Sequence, residues 1–275
     1  MNEKDKQHLR ALVRTMYDYQ DMRIITSNRL RLKKDETLMD EEFMNDAEYS
    51  ESDYSTIKYV FDNSKEVEKK LLKDITEIVE KHPLYSNFLI NVRGCGILIS
   101  AVILCEFDIF KADTVSKMWQ YAGLNPAMIK GKKIIKITKK TDHSQLIKEY
   151  ENKKGEKCGI VLTNDLIRGD KLTAGYVSPF NIWLRTKLCG VLATNMIRNQ
   201  KGEGKSYAVD FYYPYKQRLE NEERWKETTP AHRNNAAKRY MIKMFIQDLY
   251  KNWREIESLP TRVPYQEEYL NHKHE

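Results

Sequence analysis

Apolar residues recur at helical spacing from the start of the chain. Leu9, Val13, Met16 and Tyr17, followed less regularly by Met22 and Ile25, predict an amphipathic helix over residues 1 to about 32. A second stripe, Val67, Leu71, Leu72, Ile75, Ile78 and Val79, is closed by His82-Pro83 and predicts a helix able to cover the first. The run Ile97 to Leu104 predicts a further helix, entered through Val92-Arg93-Gly94-Cys95-Gly96. Asp113 or Thr114 can cap a helix that reaches Tyr121-Ala122 and stops at Gly123. The alternation from Ile134 to Lys140 reads as a strand, and residues 141–177, punctuated by Gly155, Gly159, Gly169 and Gly175, read as an inserted region of short strands such as 158–163. Helical signal returns at Ser178-Pro179, with Ile182, Leu184, Leu188, Val191, Leu192 and Met196 on one side, and again from Ala231 to Trp253, where Ala237, Met241, Met244, Phe245, Leu249 and Trp253 line one side.

These patterns predict a mainly α fold. Residues 1–83 form a helical hairpin or coiled coil, residues 84–255 a helix-hairpin-helix domain with a small β insertion at 141–177, and residues 256–275 an extended tail marked by Leu259-Pro260 and Val263-Pro264. No apolar run reaches membrane-spanning length and the first residues lack the apolar core of a signal peptide, so a cytoplasmic protein without a membrane partner is expected. The four cysteines form no C-x-x-C pair and the six histidines stand at no metal-ligand spacing from them, which implies reduced, structural thiols, no metal and no cofactor.

The net charge of +7 conceals an asymmetry. Residues 35–53 hold nine acidic side chains and no Lys or Arg, so the remainder carries 7 + 9 = +16. The acidic stretch reads as a connector, with mimicry of nucleic acid as the alternative; the basic remainder attracts polyanions by counterion release. Its natural anchor is the h-x-G-h-G turn. Two glycines admit a sharp turn, and the amides that open the next helix have no intrahelical acceptors and face a phosphate favourably. Arg93, Gly94, Cys95, Gly96 and Ile97 are therefore candidate backbone contacts, with a plain packing corner as the competing reading. Lys130, Lys132 and Lys133 can extend the phosphate surface or protect a strand edge. Arg185, Lys187, Arg233, Lys238 and Arg239 are the remaining candidates. The tyrosine-rich run Tyr207, Phe211, Tyr212, Tyr213 and Tyr215 can stack bases or fill a core.

Several of these residues together resemble a known family. Gly94-Cys95-Gly96, Ser100-Ala101, Phe110, Tyr121-Ala122-Gly123-Leu124-Asn125-Pro126, Asn181-x-Trp183-Leu184-Arg185-x-Lys187-Leu188, Tyr212-Tyr213-x-Tyr215-Lys216-x-Arg218-Leu219 and Ala236-Ala237-Lys238-Arg239 resemble the C-terminal transposase domain of the DEDD-type insertion-sequence transposases, the RNA-guided bridge recombinases. The resemblance implies a mobile-element or phage context and a role in DNA recombination. It also implies parts that this sequence lacks. About 90 residues precede the turn, too few for the family's RuvC-like nuclease domain together with its helices. Where the family has a nucleophilic serine after Gly-Leu-x-Pro, this chain continues Ala127-Met128-Ile129-Lys130-Gly131. Ser178 is better read as a helix cap, and Tyr240 lacks an evident base.

The reading is a non-catalytic protein that grips nucleic-acid backbone, DNA ahead of RNA, with no catalytic residue assigned. The alternatives are a strand-cleaving or recombining enzyme, alone or as a subunit, and a helical assembly protein that forms a homodimer through its first helix.

Overall fold

In a computed structural model, residues 1–30, 55–138 and 141–262 are described. The acidic stretch 35–53, Lys139-Lys140 and most of the expected tail lie outside them. Helix makes up 61% of the structure and the remaining regular structure is a three-stranded antiparallel sheet, so the protein is mainly α with a small β insertion. The chain divides into two units.

The first unit comprises Met1–Ser86 and Gly96–Glu106. Helices α1 (Glu3–Arg29) and α2 (Ser55–Glu80) pack antiparallel, with Arg23 Nε 2.6 Å from Glu68 Oε1. The regular part of the stripe on α1 is covered within the same chain, Leu9 and Val13 being fully buried, as are Ile75 and Val79 of α2; Met22 and Ile25, where the spacing is less regular, stay 45% exposed, and Leu72 of α2 40%. Asn2 caps α1 by accepting the Asp5 amide at 2.8 Å. Between Pro83–Asn87 (α3) and the next helix, the chain passes through one tight turn at Leu89–Asn91, so a five-residue helix, not a long one, precedes the hairpin turn. Helix α4 (Ile97–Glu106) packs on α1 and α2 and is buried at every residue from Ile99 onward. A helix apolar all round belongs inside. Its one acid, Glu106, is only 3% exposed and is neutralised by Arg14 at 2.8 Å and Arg10 at 3.5 Å.

The second unit comprises Asn87–Cys95 and Phe107–Glu275. Its axis is the last long helix, Pro230–Ile256, started by Thr229, whose hydroxyl accepts the His232 amide at 3.2 Å. The expected apolar side is the buried one. Against it pack α5 (Val115–Tyr121), a helical run over residues 182–198 and a second over residues 208–221. Side chains tie them: Trp119 Nε1 donates to Lys243 O, Tyr250 OH to Asp113 O, and the buried Arg254 guanidinium to Ile109 O, Ala112 O and Pro260 O. Gly123 stops α5 in a left-handed conformation, φ +69°, with its amide on Gln120 O.

The sheet starts earlier than the spacing of glycines suggested. Strand β1 (Met128–Lys136) lies beside β3 (Lys157–Arg168), which also pairs with β2 (Leu146–Glu151), in the order β1-β3-β2. The lysine-rich segment is thus a strand of the insertion itself. Ser178 does not cap the helix that follows; its hydroxyl donates to Phe180 O, and Asn181 caps instead by accepting the Leu184 amide at 3.0 Å.

Candidate nucleic-acid interface

The hairpin turn is built into the second unit by Arg93 and Gly94. The Arg93 amide donates to Lys205 O, the Lys205 amide returns to Asn91 O, and the Arg93 guanidinium donates to the carbonyls of Glu203 and Gln200. Arg93 is thereby a staple across the 200–205 loop. Gly94 has φ +81°, and a Cβ there would lie 2.5 Å from Met196 N and 2.6 Å from Asn195 C, so the turn sits directly on helix backbone. Cys95 is buried and its amide donates to Val92 O. Gly96 is different: its φ is not left-handed and an added Cβ meets nothing within 4 Å. Gly96 and Ile97 open α4, and of the five turn residues these two retain the geometry of an anion-facing helix start.

The helical run 182–198 is irregular. Ile182–Arg185 (α6) is α-helical, Thr186–Leu192 widens into π-helical turns, and Ala193–Arg198 (α7) is α-helical again. Hydroxyls compete for carbonyls at both ends of the widened part, Thr186 Oγ1 on Ile182 O and Thr194 Oγ1 on Gly190 O, and Gly190 in its middle adds no helix propensity. The widening lets Leu184, Leu188 and Leu192 all reach the core. It also presents Cys189 to the final helix. Burial pushes the Cys189 thiol up, while Arg185, Arg239 and Lys238, in that order, pull it down. Three predicted phosphate contacts, from two distant parts of the chain, therefore lie close enough to one half-buried thiol to act on it electrostatically. Arg185 stacks on the Phe180 ring, 4.8 Å from its centroid, and donates to Asp170 O; Lys238 Nζ reaches Thr194 Oγ1 at 3.5 Å. Among the described residues none of the three forms an ion pair with a carboxylate.

The other candidates are dispersed. Lys187 stands over the Trp183 ring at 5.3 Å. The Arg233 guanidinium closes the corner before the last helix by donating to Trp225 O and Thr228 O. Lys130, Lys132 and Lys133 project from β1, all exposed, the first two on one face and the third on the other.

The aromatic run is largely core. It too contains a π-helical stretch, Ala208–Tyr212, set just before Pro214, which lacks an amide and crowds the preceding turn. Tyr207 is fully buried, its hydroxyl donating to Asp248 Oδ2 at 2.6 Å, and Tyr212 donates to Asn234 Oδ1 at 2.6 Å. Tyr215 and Tyr240 stack on each other with centroids 4.1 Å apart, so Tyr240 is engaged with a ring. Tyr213, 40% exposed, stays accessible. Cys189, which the three cations act on, and Thr194, which Lys238 reaches, do not stand out in the sequence; the one signal is the spacing of Cys189 four residues after Arg185, one helical turn.

Among the described residues no group of His, Cys, Asp or Glu stands ready to hold a metal ion, and no helix is long and apolar enough to cross a membrane. No protein-family model, no curated protein and no solved structure matches the chain.

Proposed function

We propose that the protein binds structured nucleic acid, DNA in the first place, by its phosphate backbone and without cutting it. The observation that carries this reading is that Arg185, Lys238 and Arg239 all act on the same thiol, Cys189, and that among the described residues none of the three is ion-paired with a carboxylate. Like charges held together on a folded scaffold repel one another, and an anion that joins them removes that cost. Guanidinium forks suit phosphate oxygens in pairs, and Lys238 adds a point charge. Gly96 and Ile97, at the start of α4, supply the amide-donor type of contact that a backbone phosphate also accepts. The residues around Arg185 and Lys238-Arg239 are among those that resemble the insertion-sequence transposases, which agrees with DNA as the partner.

Backbone contacts of this kind position a duplex without reading its bases, so affinity should fall steeply with salt and depend little on sequence. Fluorescence anisotropy against duplex, branched and single-stranded DNA and structured RNA, over a salt series, tests the reading, with Mg²⁺ and Mn²⁺ lanes to detect strand cleavage. Salt-steep binding without cleavage supports it. Cleavage by the purified protein would replace it with a nuclease or recombinase, and absence of binding to every probe at low salt would overturn it.

A further inference from the structure

One face of the small sheet is packed on by Tyr176, and the other, buried only at its Cys158 end, is largely exposed. On the first face Tyr176 lies over Gly131, where a Cβ would come within 2.6 Å of its ring, and donates its hydroxyl to Asp165 at 2.5 Å. Register assigns the opposite face. Lys130 pairs with Leu166, Lys132 with Leu162 and Ile134 with Ile160; at the bulge two residues of β1 span four of β3, an even difference that keeps the alternation in phase. Lys148 of β2 joins through its pairing with Ile160.

This exposed face combines two kinds of side chain. Leu162 and Leu166 are 58% and 60% exposed and Ile134 is 37% exposed. Lys130, Lys132 and Lys148 stand among them, exposed, and no ion pair is found for any of the three among the described residues. No Asp or Glu occupies this face of β1 or β3: its polar positions are Lys130, Lys132, Lys136, Asn164 and Arg168, the last two cations already paired with Glu156 and Asp170. Exposed aliphatic side chains on adjoining strands mark an interaction surface, and the company they keep selects the partner. Bases stack on aromatic rings; β1 and β3 carry none, and the one aromatic that register puts on this face of the sheet strands is Tyr150 of β2, at the far end beside Cys158. Peripheral membrane surfaces use aromatic anchors and larger basic clusters. Lysines interleaved with leucines fit a polypeptide that carries carboxylates interleaved with apolar side chains.

We propose that this sheet face docks an acidic protein segment bearing apolar side chains. The site uses residues other than Arg185, Lys238 and Arg239, and it takes Lys130 and Lys132 away from the phosphate surface to which the sequence assigned them. A suitable probe is a labelled peptide with the sequence of residues 35–54, which has nine carboxylates, no Lys or Arg, and Leu38, Met39, Phe43 and Met44 among them. Binding to the full chain is measured for the wild type, Lys130→Glu/Lys132→Glu and Leu162→Ser/Leu166→Ser, with circular dichroism as the folding check; all four positions are exposed, so the fold should survive. The proposal expects saturable, salt-sensitive binding that drops roughly tenfold or more in each double variant, both charge and apolar contact being required. No peptide binding, or equal binding by both variants, overturns it, as does vesicle binding through the same residues with anionic phosphatidylserine vesicles. Duplex DNA binding in the same samples separates the two sites: it should persist in both sheet variants, and its absence from the wild type would count against the nucleic-acid reading alone.

Discussion

Replacing Gly94 and Gly96 each by Ala separates two glycines that a single motif places side by side. At Gly94 the backbone is left-handed, φ +81°, and a non-glycine residue there costs about 1–2 kcal/mol. The new Cβ would also stand 2.5 Å from Met196 N and 2.6 Å from Asn195 C, main-chain atoms that cannot rotate away. Forcing a methyl into such a contact adds roughly 1–3 kcal/mol, so Gly94→Ala should lose about 2–5 kcal/mol. Gly96 has neither constraint, and Gly96→Ala should be neutral or gain up to about 1 kcal/mol by restricting the unfolded chain. Urea unfolding followed by the fluorescence of buried Trp119 and Trp253 reads both. Gly94→Ala within about 0.5 kcal/mol of wild type, or Gly96→Ala as damaging as Gly94→Ala, would refute this account. The pair also decides how binding data are read: a substitution at Gly94 that abolishes nucleic-acid binding reports folding, whereas one at Gly96 can report contact.

Three further outcomes follow from the same geometry. Arg10→Met/Arg14→Met leaves the Glu106 carboxylate, 3% exposed, without its cations, and should cost on the order of 3 kcal/mol in thermal or urea unfolding; an unchanged midpoint would contradict the pairing. Burial pushes the Cys105 thiol up to about 12 and raises Cys189 as well, while Cys95 and Cys158 are buried, so the native protein should react slowly with a thiol reagent near neutral pH and expose four thiols on denaturation. A fast-reacting native thiol would show that Cys189 is activated by its cations instead. Burial also pulls Lys243 below the ordinary lysine value, its Nζ 4.4 Å from the Trp119 ring centroid. The native state then binds fewer protons there than the unfolded chain, so stability relative to Lys243→Met should rise with pH until the unfolded-lysine value of about 10.4 is passed. A pH-independent difference would contradict it.

The long helices were legible because their partners demand a stripe: Leu9, Val13 and Met16 on one, Ile75 and Val79 on the other, Met241, Phe245 and Leu249 on the last. The start of the 182–198 run was misplaced by three residues because Ser178 and Asn181 are both good caps, and only the turn through Phe180 selects Asn181. The insertion's first strand was assigned apart from its partners, since strand pairing between residues 128–136 and 157–168 depends on contacts that no local pattern encodes. The hairpin glycines carried a true signal of a tight turn but not of what it approaches: Gly94 meets a helix backbone. Cations near residue 185 and near residue 239 were each read as candidate phosphate contacts, but their convergence on Cys189 runs through a π-helical widening that spacing alone does not announce.

The most direct measurement is the salt dependence of duplex DNA binding by the wild type and by Arg185→Gln/Lys238→Gln/Arg239→Gln. Neutralising a cation that touches one phosphate lowers the slope of log affinity against log salt by about 0.9. If the cluster grips the backbone, the triple variant should bind weakly and with a slope smaller by about 2–3, while keeping its fold. Equal affinity and equal slope in a folded triple variant would place nucleic-acid binding elsewhere on the protein or nowhere, and would remove the central claim.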